Sequence, residues 1–272
     1  MGFLGKRSRD SHKGDNGRVL VIGGSEDYVG APALAGMAAL RSGCDYVVVA
    51  CPSNAAWSIN SLYPDLITKK LEGNFINWDN VSDLIEMSED FDVVLIGNGI
   101  GTEESTMDVV KELVERIPDF KVIDADGLKA LKDAEFVNTV MTPHAGEFEI
   151  MADEDISGKS REYKARLLQA YTKKDTVILL KGNTDIIASD EKFAYNNTGN
   201  PGMTIAGTGD VLAGITAGFL AQSKDMFKSA VNAAYLNGKA GDYLLRQKGY
   251  GFTASDMLDV IPAVKKRIIR WR

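Results

Sequence analysis

Short, near-continuous apolar runs rich in β-branched residues recur along the chain: Val19-Leu-Val-Ile22, Tyr46-Val-Val-Val49, Val93-Val-Leu-Ile96, Val122-Ile123 and Val177-Ile-Leu-Leu180. They lack polar alternation, so each predicts a strand buried on both faces, as in a parallel sheet covered by helices. Helical patterns lie between them. Thr102 reads as an N-cap, Glu103 and Glu104 as an acidic first turn, and Met107, Val110, Leu113, Val114 and Ile117 as one apolar stripe. Strand alternating with helix predicts a doubly wound α/β domain. The rhythm breaks at Asp185-Ile-Ile-Ala188 and Phe193-Ala-Tyr195, joined by Ser189-Asp-Glu191, which predict a late antiparallel hairpin. From Gly209 the chain reads as helix, with stripes at Leu212, Ile215 and Phe219 and at Phe227, Val231, Ala234 and Tyr243. A final amphipathic helix follows Thr253, with Asp256 in the capping-box position. No repeat or linker interrupts this order, so one domain over residues 1–272 is expected.

Composition narrows the partners. A net charge of −7 offers no broad field for nucleic acid or anionic lipid, so any anionic ligand must be held by local groups. The basic tail Lys265, Lys266, Arg267, Arg270 and Arg272 matches the preference of a helix C-terminus for cations, which outweighs an anion site as its explanation. Cys44 and Cys51 fit no CxxC motif and read as reduced thiols of a cytoplasmic protein. Met1 to Arg7 has no long apolar segment, Lys6 stands where a myristoylation signal needs Ser or Thr, and no apolar run approaches the roughly 18 residues of a membrane helix. A soluble protein is expected. Glycine is the outlier: 27 in 272 residues exceeds the usual share of about 7% and implies tight turns or close backbone approaches.

The glycines mark the candidate chemistry. In Asn200-Pro-Gly-Met-Thr-Ile-Ala-Gly-Thr-Gly-Asp210, three glycines and a proline precede a long apolar helix. Such a turn aims unpaired N–H groups and a positive dipole end at one point, which suits a phosphate. Asp210 is expected at the first helical position, as a dipole-matching cap or as a functional carboxylate. Gly97-Asn-Gly-Ile-Gly101 follows a strand but fails GxGxxG, because position 102 is Thr. Lys181-Gly-Asn-Thr184 can neutralise phosphate or be a solvated loop, and no GxxxxGK[ST] occurs. His144 in Thr142-Pro-His-Ala-Gly-Glu147 is a candidate cap or a grip on substrate; a single histidine cannot build a metal cluster. Ser25 misses GxSxG because position 27 is Asp. Asp124 and Asp126 beyond a strand suit Mg²⁺, a ribose or a plain polar turn.

In serial order, His12-Lys-Gly-Asp-Asn-Gly-Arg-Val-Leu-Val-Ile-Gly-Gly24, Gly30-Ala-Pro-Ala-Leu-Ala35, Gly97 to Gly101, Asp124-Ala-Asp126, Thr142 to Glu147, Lys181-Gly182 and Asn200 to Asp210 resemble the NAD(P)H-hydrate dehydratases of the ribokinase-like superfamily. The likeness runs from about residue 10 to residue 265. Asn98 and Ala145 stand where that family usually has proline, and Ala206 where it commonly has glycine, so a restricted phosphate turn is expected at Ala206. The resemblance implies a three-layer α/β/α sandwich and a repair reaction on hydrated NADH or NADPH. A nucleotide, ADP before ATP, phosphorylates the added hydroxyl, and phosphate is then eliminated.

It further implies Asp210 as general base, kept ionised by N–H groups, and Gly207, Thr208 and Gly209 as donors to the transferring phosphoryl group. Gly30, Ala31, Gly97, Gly99, His144 and Asp210 would meet the hydrated dinucleotide. Lys181, Gly182, Asn183, Thr184, Asp185, Gly207, Thr208 and Gly209 would hold the adenine nucleotide. Mg²⁺ is expected without legible ligands; a homotetramer without an N-terminal epimerase domain is expected too, which leaves epimerisation of the hydrate to a separate epimerase or to a spontaneous step. The rivals are a ribokinase-like kinase of a hydroxymethylpyrimidine, thiazole or sugar alcohol, and a non-catalytic NAD-binding protein.

Overall fold

The computed structural model describes residues 7–132, 134–173 and 175–270, with side chains as far as residue 268. The expectations for Met1 to Lys6 and for Arg272 lie outside the described residues. In chain order the elements are β1 (Arg18–Ile22), α1 (Gly30–Ser42), β2 (Tyr46–Pro52), α2 (Ser53–Leu62), β3 (Ile67–Leu71), α3 (Val81–Ser88), β4 (Val93–Ile96) and α4 (Glu104–Arg116). Then come β5 (Phe120–Ile123), β6 (Thr139–Met141), α5 (Ala145–Ala152), α6 (Arg161–Tyr171), β7 (Thr176–Leu180), β8 (Asp185–Ala188) and β9 (Phe193–Asn196). The last three are α7 (Thr208–Ser223), α8 (Met226–Lys248) and α9 (Ala254–Arg270). No helix among the described residues is long and apolar enough to cross a membrane.

The strands form one sheet in the order β3-β2-β1-β4-β5-β6-β7-β8-β9. Strands β1 to β7 pair in parallel, and β8 and β9 extend the sheet as the expected antiparallel hairpin. Each central strand alternates its side chains between two cores. Val19, Val21, Val93, Leu95 and Val122 join α1, α7, α8 and α9 on one face; Leu20, Ile22, Val94, Ile96 and Ile123 join α3, α4, α5 and α6 on the other. This double burial is why the strands read as unbroken apolar runs. The result is a three-layer α/β/α sandwich.

Two local expectations change. Helix α4 begins at Glu104 with Glu103 as its N-cap, and no side chain caps it; Thr102 sits one step too early, in the connection from β4. Helix α7 buries more than the stripe read at Leu212, Ile215 and Phe219, because Val211 to Ala221 is buried throughout. A helix apolar all round belongs inside a domain. A Cβ on Gly214 would collide with the Ala35 carbonyl and one on Gly218 with the Ser42 hydroxyl, so glycines four residues apart let α1 lie directly against α7. Part of the glycine excess therefore serves helix packing. The basic tail also has an internal use: Lys265 Nζ lies over the Phe219 ring at 5.3 Å and donates to the Ser42 carbonyl.

Candidate active site

Parallel strands end together, so whatever follows β1, β4, β5, β6 and β7 is gathered at one edge of the sheet. The strand order reverses between β1 and β4, which is where open α/β sheets form a crevice. The loops after these two strands are locked to each other, with Gly24 N–H donating to the Asn98 carbonyl at 2.9 Å. Gly97 has φ +121°, and a Cβ there would collide with the Asp124 carbonyl. That glycine is demanded by the chain itself, and it presses the β4 loop against the end of β5.

Helix α7 brings its N-terminus to the same edge. Gly207, with φ +94°, is its N-cap, and a Cβ there would come within 2.8 Å of Leu34 and Ala254. Thr208 Oγ bonds back to the carbonyls of Met203 (2.7 Å) and Ile205 (3.1 Å), so the first helical residue is Thr208. Asp210 is then the third helical residue rather than the first. Ala206, expected to restrict the turn, is exposed and stands outside the left-handed region.

Around Asp210 the structure assembles a buried polar cluster. Asn98 Nδ2 donates to Asp210 Oδ1 at 2.7 Å and to Asp124 Oδ2 at 2.9 Å. Asp124 Oδ1 accepts from Thr142 Oγ at 2.7 Å and from Lys181 Nζ at 2.9 Å. Lys181 Nζ also lies 3.5 Å from Glu147 Oε2. Burial works against the lysine's charge, yet Asp124 and Glu147 outweigh it and hold the Lys181 pKa above its usual value. Burial foremost, and then the Asp124 charge, push the Asp210 carboxyl up to about 6. Its donor is a side-chain amide, and the expected steadying of the ionised form by backbone N–H groups gives way to desolvation.

The other predicted residues divide. His144 is the N-cap of α5 in a capping box: its Nδ1 accepts from Glu147 N–H at 3.1 Å, while Glu147 Oε2 accepts from His144 N–H at 2.7 Å. Its side chain remains 60% exposed, with Nε2 3.4 Å from Glu147 Oε1, so the capping ring still presents a face to solvent. Gly30 and Ala31 start α1 at the same rim; Gly30 is exposed, and a Cβ there would meet nothing in the chain. Gly99 packs close to Tyr28 and Ala31.

Across the cluster, Lys181 Nζ approaches Gly209, with 3.5 Å to the place of a Cβ. Gly182 N–H donates to Asp185 Oδ1 at 3.0 Å, Asn196 Nδ2 holds Asp185 Oδ2 at 2.9 Å, and Thr184 Oγ bonds Asn197 at 3.0 Å. Asn183 is exposed at the tip. The paired carboxylates after β5 part ways: Asp124 is central, while Asp126 makes an ordinary ion pair with Lys129 at 2.7 Å. Ser25 is buried. Asn98, Thr142 and Glu147 carry much of the cluster yet were not expected as site residues. Their one sequence signal is their place in the glycine- and proline-marked segments Gly97 to Gly101 and Thr142 to Glu147 that follow strands.

This is the ribokinase-like arrangement: a doubly wound sheet ending in a hairpin, with a glycine-rich helix N-terminus that carries a half-buried carboxylate. The chain belongs to the NAD(P)H-hydrate dehydratase family, whose model matches residues 19–263. It is 43% identical over 266 residues to the bifunctional NAD(P)H-hydrate repair enzyme Nnr of Methanothermobacter thermautotrophicus, covering 95% of this chain and 51% of that protein. The chain thus spans about half the length of such curated relatives. With the ADP-dependent (S)-NAD(P)H-hydrate dehydratase of Cenarchaeum symbiosum it shares 39% identity, over 97% of this chain and 93% of the relative. The ADP/ATP-dependent NAD(P)H-hydrate dehydratase of Bacillus subtilis, co-crystallised with ATP and Mg²⁺, superposes with a TM-score of 0.82 at 29% identity, covering 97% of this chain and 94% of that one.

Proposed function

We propose that this protein repairs hydrated NADH or NADPH, with a nucleotide phosphorylating the added hydroxyl before phosphate is eliminated and the reduced dinucleotide restored. The observation that carries this reading is Asp210, a half-buried carboxylate with its pKa pushed up to about 6 in the first turn of a helix entered by a glycine-rich loop. A base poised just below neutral pH is largely ionised there and still has useful affinity for the hydroxyl proton. As that proton moves to Asp210, the substrate oxygen attacks the terminal phosphoryl group. The N–H groups of Gly207, Thr208 and Gly209 stabilise the charge that develops on it.

Gly30, Ala31, Gly99 and the exposed ring of His144 contact the hydrated dinucleotide, with Gly97 shaping the loop beneath. Lys181 to Asp185, with Gly207 to Gly209, hold the adenine nucleotide. The name of the Cenarchaeum relative favours ADP as donor. Among the described residues no three His, Cys, Asp or Glu side chains gather as a metal site, and Asp124 already serves Asn98, Thr142 and Lys181. The described residues thus fit Mg²⁺ as a companion of the nucleotide phosphates rather than in a cage of side chains. One dehydratase domain, in a cytoplasmic homotetramer, belongs to the same reading.

The test is incubation with hydrated NADH, Mg²⁺ and either ADP or ATP, followed by phosphorus NMR. Inorganic phosphate together with AMP from ADP supports the proposal. A stable phosphomonoester would make the protein a small-molecule kinase instead, and binding without turnover would leave the NAD-binding reading.

A further inference from the structure

We propose that Asn98 is a positioning residue for the reaction: its side-chain amide holds Asp210 by Oδ1 and ties it to Asp124, leaving Oδ2 as the oxygen that receives the substrate proton. The inference rests on the dehydratase reading of the site. It starts from geometry. Two carboxylates, from the end of β5 and the first turn of α7, meet one nitrogen, at 2.9 Å from Asp124 and 2.7 Å from Asp210. An amide NH₂ has two hydrogens, and here each points to one of two groups that would otherwise repel. The amide oxygen, Oδ1, is buried without a partner in a side chain that is 0% exposed. Turned over, the amide would set that oxygen against both carboxylates. The carboxylates alone therefore fix its orientation.

The backbone around Asn98 has little freedom. Gly97 (φ +121°) and Gly99 (φ +67°) turn the chain on either side, Gly97 N–H bonds the Ile22 carbonyl at 3.1 Å, and the Asn98 carbonyl receives Gly24 N–H at 2.9 Å. The donor is thus mounted on the strand ends rather than on a mobile loop. The charged groups facing Asp210 are Asp124 and Glu147, which oppose its ionisation, and Lys181, which favours it. The Asn98 hydrogen bond favours the ionised form as well. Without it, the base is both less fixed and less available near neutral pH.

The test reads Asp210 directly in the full chain, by ¹³C carboxyl NMR titration of aspartate-labelled protein, with Asp210→Asn assigning the resonance. In Asn98→Ala the Asp210 midpoint is expected to move upward by about one pH unit, the equivalent of about 1.4 kcal/mol. The acidic limb of kcat should move with it, while kcat well above that limb falls only a few-fold. A merely structural role would lower stability or rate and leave both midpoints in place; that result overturns the proposal. Should Asn98→Ala fail to fold, Asn98→Ser fills more of the space and is expected to shift the midpoint in the same direction by less. An unmoved midpoint in that variant overturns the proposal equally. The titration needs no turnover, so failure of the dehydratase reading would appear separately, as an absence of repair by the wild type.

Discussion

The two ends of the sheet each draw a lysine in from solvent, Lys181 half-buried and Lys121 fully buried, and they do so for different reasons. At the carboxyl ends, Lys181 lies between Asp124 and Glu147, and its pKa is raised against the pull of burial. At the start of β5, on the opposite end, Lys121 is 0% exposed and donates to the carbonyls of Ile117 (2.6 Å) and Asp119 (3.1 Å). There burial wins, and the pKa falls to about 8. Lys121 closes the C-terminus of α4, where dipole and orphan carbonyls favour a donor. What a desolvated cation does is therefore read from its company. Lys181 belongs to an electrostatic circuit that reaches Asp210, and Lys121 serves its neighbouring helix end.

That contrast can be broken experimentally. The largest effect is expected for Asp210→Asn, with kcat lowered at least about 10²-fold, the lower end for general acid–base catalysis. The same variant should be more stable at neutral pH. A carboxyl raised from 3.8 to about 6 stabilises the fold fully below pH 3.8 and loses that contribution as pH rises through 6. Calorimetry at pH 7 should therefore find a higher Tm than wild type, and a lower one would contradict the assigned burial penalty.

Lys181→Met should follow, with nucleotide binding weakened by about tenfold, close to 1.4 kcal/mol. It should also raise the acidic limb of kcat, because Lys181 favours ionised Asp210. Titration calorimetry and a pH profile read the two effects; if neither moves, the circuit does not exist. In the wild type that limb should fall near pH 6, with kcat dropping about tenfold per unit below it. The smallest effect on catalysis belongs to Lys121→Met, which should leave kcat unchanged. A lysine lowered from 10.5 to about 8 penalises the fold below pH 8 and releases that penalty as pH rises toward 10.5. Denaturant titrations across this range should find the rise in wild type and its loss in the variant.

The core was legible because double burial writes strands as unbroken apolar runs, and the hairpin because it interrupts them. Strand β3 was not, since Ile67-Thr-Lys-Lys-Leu71 is a half-exposed edge whose lysines mask the pattern. Local composition also misplaced the start of α4, where a capping-type Thr102 lies in a connection that runs on to Glu103. The motifs supplied the residues that gather around Asp210, but the Asn98 contacts join residues 26 and 112 positions apart. Nothing local in Gly97-Asn-Gly99 announces two carboxylate partners. The glycine excess likewise has two causes, turns such as Gly207 at the site and close helix contact at Gly214 and Gly218, which composition cannot separate.

The central claim is that Asp210 drives nucleotide-dependent repair of a hydrated dinucleotide. Its most direct test is recovery of the reduced-nicotinamide absorbance from hydrated NADH with ADP and Mg²⁺, wild type beside Asp210→Asn. The account predicts recovery with one inorganic phosphate released per NADH in the wild type, and recovery at least about 10²-fold slower in the variant. Equal rates in the two proteins would contradict it.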